Sequence, residues 1–145
     1  MKNLFISGIT GKVGKLLSSY ALESNHFNLV GGSCSPDNNF FEKDIGTLLE
    51  IEETGIKISE KMPEDLSVDI IIDFSSPKSS MKILQLAKRK KIPILIGTTG
   101  FSEVDFKEIE IASTQIPVLL APNTSSGIAI LKNILNKSKN LFSED

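Results

Sequence analysis

Residues 3–14, NLFISGITGKVG, place a short apolar run directly before a turn that contains three glycines. The run at residues 3–7 has the length and composition of a buried β-strand, and it stops at Gly8. Beyond the glycines, the apolar residues fall on one face of a predicted helix that continues to about residue 24: Val13, Leu16, Leu17, Tyr20 and Ala21. The stretch therefore predicts a strand and a helix joined by a glycine turn.

The same alternation continues along the chain. Further strands are predicted at residues 27–30, 55–58, 68–73, 93–97 and 116–121, and helices at residues 45–49, 77–90 and 102–113. A last helix begins after Ser125 or Ser126, and residues 31–36, GGSCSP, are predicted as a loop. This order favours an α/β fold: a doubly wound, Rossmann-like, mostly parallel sheet with helices on both faces.

The composition excludes several classes of function. The 145 residues include 16 Lys and Arg against 18 Asp and Glu, so neither nucleic acid nor an anionic membrane is an expected partner. Cys34 and His26 are the only residues of their types, which excludes internal disulfides and clusters of thiolate or histidine metal ligands. No apolar run is long enough to span a membrane, and no export signal is recognised, so we expect a cytoplasmic protein without a metal site.

The glycine turn has the spacing GxxGxxG, with Gly8, Gly11 and Gly14. Glycines allow close approach of the backbone to a pyrophosphate, and free amides at a helix start attract that anion. The alternative is a turn whose glycines serve helix packing alone. Lys12 and Lys15 either assist phosphate binding or are simply solvated.

Other polar loops follow the remaining strands and are expected at the same edge of the sheet, because parallel strands end on one side. The segment from Phe74 to Pro77 either lines a nucleotide cleft or caps the next helix. The candidate ligand-binding residues at this edge are Gly8, Ile9, Thr10, Gly11, Lys12, Val13, Gly14, Ser33, Cys34, Phe74, Ser75, Gly97, Thr98, Thr99, Ala121, Pro122, Asn123 and Thr124.

The end of the second strand lacks the acidic residue that usually binds the adenosine ribose of NADH. That position is occupied instead by Gly32, Ser33, Cys34 and Ser35. No arginine lies at this strand end to bind a 2′-phosphate. The sequence therefore favours acceptance of NADPH beside NADH, with Ser33 and Ser35 as hydrogen-bond donors and Asp37 as the nearest displaced acid. No base can be assigned to Cys34, so we interpret it as a small loop residue.

Four segments, GITGKVG, VDIIIDFSSP, IGTTGF and APNTSSGI, occur in an order that resembles the N-terminal half of the 4-hydroxy-tetrahydrodipicolinate reductase (dihydrodipicolinate reductase) family. The resemblance runs over residues 1–139. It implies an NADH- or NADPH-dependent reductase of lysine and diaminopimelate biosynthesis. By motif, residues 8–13 would hold the pyrophosphate, and Phe74 and Ser75 would border the cofactor. Gly97 and Thr99 would meet the nicotinamide carboxamide, Thr99 also at the substrate's edge, and residues 121–124 would close over the nicotinamide.

The resemblance also implies parts that this chain does not contain. Members of the family often have an acidic and a basic residue where Cys34 and Ser35 stand, so the cofactor preference of the family does not transfer to this chain. The family also has a second domain, with a paired-histidine and lysine motif that binds the dicarboxylate substrate. His26 is expected at the edge of the sheet that faces away from the cofactor, so it cannot replace that motif. We therefore expect residues 1–125 to be a dinucleotide-binding domain and residues 126–145 to start the connection toward the absent substrate and oligomerisation domain.

This organisation leaves the chain without catalytic residues of its own. We expect the 145-residue chain to bind cofactor but to be inactive alone, although the family forms homo-oligomers. An alternative class of function remains open, in which the chain is a catalytically inactive nucleotide-binding or interaction module. A purely structural domain would bind no nucleotide at all.

Overall fold

A computed structural model describes residues 1–121 of the chain. Within them, strands and helices alternate along most of the chain: β1 (Lys2–Ser7), α1 (Lys12–Glu23), β2 (Phe27–Ser33), α2 (Ile45–Leu49), β3 (Ile58–Ser59), β4 (Ile70–Asp73), α3 (Pro77–Lys90), β5 (Ile94–Ile96), α4 (Glu103–Ser113) and β6 (Val118–Leu120). The strands form one parallel sheet in the order β3-β2-β1-β4-β5-β6. The predicted doubly wound α/β fold is confirmed.

The strand order reverses between β1 and β4, since the chain builds outward from β1 in one direction and then in the other. Ser7 at the end of β1 pairs with Ser33 of β2 on one side and with Asp73 of β4 on the other. In sheets of this kind, ligands bind beyond the carboxyl ends of the strands at the point of reversal. The fold therefore places its candidate site where the loops after β1 and β4 meet.

Both faces of the sheet are covered. Side chains alternate along a strand, so Leu4 and Ile6 of β1 pack in the core beneath α1 and α2, while Phe5 packs in the core beneath α3 and α4. The first core contains Leu17 and Ala21 of α1, and the second contains Ile83, Leu84, Ile109 and Ala112. Burial on both faces explains the unbroken run of three isoleucines in β4.

The helix starts follow local sequence rules. The side chain of Ser76 caps α3, and Pro77 occupies its first turn, where a missing amide costs nothing. Ser102 and Asp105 form a capping box at the start of α4. The predicted bounds of α3 agree with the structure, and the helix predicted after residue 125 lies outside the described residues.

The predicted loop at residues 31–36 was wrong at its start, because β2 continues through Gly31 and Gly32 to Ser33. A Cβ on Gly31 would lie 3.1 Å from the ring of Phe5, and one on Gly32 would lie 2.3 Å from Cδ1 of Ile9. These glycines make room for side chains that pack across the strand. A tertiary contact, rather than a turn, is therefore the reason for the two glycines.

One residue of the predicted apolar face of α1 faces outward instead, because Leu16 is 52% exposed. The buried residues of α1 are Gly14, Leu17, Ser18 and Ala21, so small residues let this helix approach the sheet closely while Leu16 faces outward. The strand predicted at residues 55–58 is also shifted, since β3 begins at Ile58.

Candidate functional site

Gly8 and Gly14 are required by the packing of the turn itself. Gly8 follows β1 with φ of +79°, and a Cβ there would lie 2.2 Å from the carbonyl oxygen of Phe74. A Cβ on Gly14 would lie 2.4 Å from the carbonyl oxygen of Gly8. The first glycine lets the turn pass against the end of β4, and the third lets α1 pack on the turn.

Gly11 is different, because the fold does not require a glycine there. Its φ of −71° and ψ of 165° suit any residue, and the nearest atom that an added Cβ would meet is the carbonyl oxygen of Gly8 at 3.4 Å. It is the N-cap of α1 but provides no side-chain cap, although Ser or Asp would stabilise a helix there. Gly11 is exposed, so the absent side chain leaves space in front of the helix start.

The backbone amides of the turn divide into two groups. Those of Gly8 and Ile9 donate to the carbonyl oxygen of Ser33 at 2.9 and 3.1 Å, so they are used within the fold. The first three amides of α1, at Lys12, Val13 and Gly14, have no hydrogen-bond acceptor among residues 1–121. These free donors at the positive end of a helix dipole suit an anionic group such as a phosphate.

The turn opens onto a groove of about 710 Å³ at the carboxyl edge of the sheet. The end of β2, the segment after β3, the start of the loop after β4 and one side of α3 form its walls. Of the predicted cofactor-binding residues, the groove brings together Gly8, Thr10, Gly11, Ser33, Cys34, Phe74 and Ser75. Asn38 donates to the Thr10 hydroxyl at 3.3 Å and so links the loop after β2 to the glycine turn.

The side chains of several other predicted residues do not line the groove. Ile9 is fully buried, and Val13 packs against the same core. Lys12 is exposed and, like Gly14, does not line the groove. The ammonium of Lys15 lies 5.1 Å from the centre of the Phe40 ring, which gives it a cation–π partner within the fold.

Sequence reasoning missed Asp73, the last residue of β4, which is fully buried. Its carboxylate accepts hydrogen bonds from the hydroxyls of Ser75 at 2.6 Å, Thr98 at 2.8 Å and Ser80. The hydroxyl of Thr98 also accepts from the Ser75 amide at 2.9 Å. This cluster ties the loops after β4 and β5 to α3. The sequence signal for Asp73 was an acidic residue at the end of an otherwise apolar strand. The hydrogen-bond partners of Asp73, however, are 2, 7 and 25 residues away in the sequence.

The GTTG segment after β5 contains three predicted residues with different environments. A Cβ on Gly97 would lie 2.1 Å from the ring of Phe74, so this glycine makes room for that ring. Thr98 is 5% exposed and its hydroxyl is committed to the Asp73 cluster, whereas Thr99 is exposed. None of the three lines the groove of the described residues. Thr99 is therefore the threonine of the pair that remains accessible to a ligand.

The last predicted site residues follow β6. The amide of Ala121 donates to the carbonyl oxygen of Ile96 at 2.8 Å, which places Ala121 next to the start of the GTTG segment. Pro122, Asn123 and Thr124 lie outside the described residues.

Cys34 lines the groove but is 8% exposed, and its thiol donates to the carbonyl oxygen of Ser35 at 3.3 Å. Burial raises the pKa of the Cys34 thiol, which opposes a role as a nucleophile. Residues 1–121 contain no group of three His, Cys, Asp or Glu side chains placed to hold a metal ion. No helix in that part of the chain has both the length and the apolar character needed to cross a bilayer.

The strand order and the glycine turn at its point of reversal define the class: a Rossmann-type domain of the kind that binds dinucleotides. Comparison with protein families then gives the particular assignment. The family described as "Dihydrodipicolinate reductase, N-terminus" matches residues 2–124, and the chain belongs to this family.

Relatives of this chain include proteins named 4-hydroxy-tetrahydrodipicolinate reductase. The protein from Colwellia psychrerythraea is 36% identical over 130 residues, which cover 90% of this chain and 48% of the relative. The protein from Buchnera aphidicola is 30% identical over 144 residues, which cover 99% of this chain and 53% of the relative. The chain therefore spans about half the length of these relatives.

Solved structures agree on the fold. Dihydrodipicolinate reductase from Paenisporosarcina sp. TG-14, determined with dipicolinate bound, superposes with a TM-score of 0.69 at 17% identity, over 95% of this chain and 53% of that one. Aspartate semialdehyde dehydrogenase from Candida albicans, determined with NADP, gives a TM-score of 0.62 at 13% identity over 94% of this chain and 47% of that one. At these identities the likeness establishes the fold alone.

Proposed function

We propose that this chain binds NADH or NADPH through the glycine turn and supplies the cofactor-binding half of 4-hydroxy-tetrahydrodipicolinate reductase. Gly11 carries the proposal. Neither its backbone angles nor its neighbours require a glycine, and the first amides of α1 have no acceptor among the described residues. A close anionic ligand accounts for both features.

The bound nicotinamide supplies the hydride for reduction. In this proposal, the amides at the start of α1 hold the pyrophosphate, and Phe74 and Ser75 border the cofactor. Gly97 and Thr99 then lie along the nicotinamide and the edge of the substrate, with residues 121–124 beside them. Phe74 packs against Gly97, which links the two parts of this arrangement.

The complete reaction in this proposal is reduction of 4-hydroxy-tetrahydrodipicolinate to tetrahydrodipicolinate in the diaminopimelate route to lysine. A dianionic substrate needs positioned cations and a proton donor. The residues proposed for the nicotinamide edge, Gly97, Thr99 and residues 121–124, carry neither. We therefore expect the 145-residue chain to bind cofactor without turnover. The homo-oligomer of the family and the cytoplasmic location stay predictions, and an inactive nucleotide-binding module remains the alternative class.

A fluorescence titration of the 145-residue chain with NADH and NADPH tests the proposal. The nicotinamide emission should change and saturate for the wild type. Gly11→Ser should weaken binding at least roughly tenfold, because its side chain would cap the helix and fill the phosphate position. Asn25→Ser, at the exposed turn after α1, is the matched control. A folded wild-type chain that binds neither nucleotide would overturn the proposal. A separate assay that finds full reductase activity would overturn the expected inactivity.

A further inference from the structure

The groove reaches the end of β2, but that end has no charged residue. Ser33 and Cys34 are 7% and 8% exposed, and Ser35 is neutral. Dinucleotide-binding domains recognise the adenosine ribose at this position, with a carboxylate for the 2′-hydroxyl or a cation for a 2′-phosphate. Asp37, the acid predicted from the sequence for this role, does not line the groove of the described residues. Another element must supply the charge if the ribose is recognised here.

The neighbouring strand β3 ends at the same place. Gly32 and Ser33 of β2 pair with Ile58 and Ser59 of β3, and the amide of Cys34 donates to the carbonyl oxygen of Ser59 at 3.0 Å. Parallel pairing therefore continues to the last residue of β3. The residues that follow Ser59 leave the sheet beside the uncharged end of β2.

Those residues are Glu60 and Lys61, and both are exposed and line the groove. Their backbone is anchored on each side of the charges. The hydroxyl of Ser59 donates to the carbonyl oxygen of Lys61 at 2.8 Å, and the next residue, Met62, is 1% exposed in the core beneath α3 and α4. An anchored backbone lowers the entropic cost of presenting the two side chains to a ligand.

The two charges are also available. Neither Glu60 nor Lys61 has an oppositely charged group within 4.0 Å in residues 1–121. Glu64, further along the same groove, already pairs with Arg89 at 2.5 Å and with Lys90 at 3.7 Å. Lys78 and Lys82 line the groove from α3 and add positive potential, which favours a ligand with an additional phosphate.

We propose that Glu60 and Lys61 form the adenosine-ribose subsite of this chain. Glu60 accepts hydrogen bonds from the ribose hydroxyls of NADH, and Lys61 pairs with the 2′-phosphate of NADPH. An acidic and a basic residue after β3 thus serve in place of charged residues at the end of β2. This inference rests on the proposed dinucleotide binding and explains how one groove accepts both cofactors.

The test uses calorimetric titration of the 145-residue chain with ADP and with adenosine 2′,5′-bisphosphate, beside NADH and NADPH. Lys61→Gln should weaken adenosine 2′,5′-bisphosphate and NADPH by roughly 5–10-fold and leave ADP and NADH within about twofold, because a charge-assisted contact to phosphate is lost. Glu60→Gln should weaken ADP and NADH by roughly 3–5-fold without weakening the 2′-phosphorylated ligands.

Lys57→Gln and Glu53→Gln are the matched controls. They remove the same charges from exposed residues that precede β3 and do not line the described groove. The subsite is refuted if the controls shift the ligand preference as much as the groove variants, or if the groove variants leave it unchanged while NADH and NADPH still bind. If no ligand binds the folded wild type, the proposed function fails, and the subsite fails with it. If NADH and NADPH bind but the groove variants do not change the ligand preference, only the subsite fails.

Discussion

The hydroxyl of Thr98 donates a 2.8 Å hydrogen bond to the carboxylate of Asp73, and both residues are buried. Asp73 ends β4, and Thr98 follows the end of the neighbouring strand β5. The same hydroxyl accepts from the amide of Ser75. The Thr98 side chain thus joins the loop after β4 to the loop after β5, and both loops border the candidate cofactor position.

Thr98→Val should lower the free energy of unfolding by about 2–3 kcal/mol, because it leaves the Ser75 amide unpaired and removes a donor from a buried carboxylate. Urea denaturation measures the change. Thr99→Val is the matched control, since Thr99 is exposed, and should stay within about 0.5 kcal/mol of wild type. Equal losses for the two variants would show that the Asp73 cluster contributes little to stability.

Substitutions of Gly14 and Gly11 should differ in how much they lower the stability of the fold. Gly14→Ala places a Cβ 2.4 Å from the carbonyl oxygen of Gly8 and should cost about 1–3 kcal/mol or more. Gly11→Ala meets no such clash and should cost less than about 1 kcal/mol. Thermal unfolding of both variants gives the comparison. A Gly11→Ala variant as unstable as Gly14→Ala would mean that the fold, and not a ligand, requires Gly11.

Asp44 should make part of the stability depend on pH. Partial desolvation raises the pKa of its carboxyl, but hydrogen bonds from the Thr54 amide, the Gly46 amide and the Thr54 hydroxyl outweigh this and hold the pKa below its ordinary value. A lowered folded-state pKa stabilises the protein above the unfolded pKa of about 3.9, and this contribution is lost as the pH falls through the folded-state pKa.

Asp44→Asn removes that titration and keeps an acceptor at the N-cap of α2. The unfolding midpoint should therefore fall less steeply between about pH 5 and pH 2 in Asp44→Asn than in the wild type. Urea denaturation at several pH values measures the slope. Parallel curves for the two proteins would contradict a lowered pKa for Asp44.

The thiol of Cys34 should react slowly in the folded chain, because burial raises its pKa and shields the sulfur. Alkylation by iodoacetamide at pH 7.5 should be at least roughly tenfold slower than in urea, and the chain has no second cysteine to confuse the measurement. Since Cys34 lines the groove, saturating NADPH should slow the reaction further. A native rate equal to the rate in urea would show that the residue is open to solvent.

Local sequence patterns correctly predicted those helices whose start is determined by residues close to it in the sequence. α3 begins at the predicted Pro77 because Ser76 caps it, and α4 begins next to its predicted start because Ser102 and Asp105 form a capping box there. The patterns failed where distant residues decide. The pair Gly31 and Gly32 is typical of a loop, yet both residues belong to β2. Glycine is needed there because Phe5 and Ile9 occupy the space that a larger residue would fill.

The candidate site shows the same division. The sequence alone predicted the glycine turn, its position between β1 and α1 and the polar loops at one edge, because strand and helix periodicity and glycine spacing are local properties. It did not distinguish the packing glycines Gly8 and Gly14 from Gly11, and it did not find the Asp73 cluster or the charges of Glu60 and Lys61 beside β2. Those relationships join residues far apart in the chain, so only strand pairing and close packing in three dimensions could decide them.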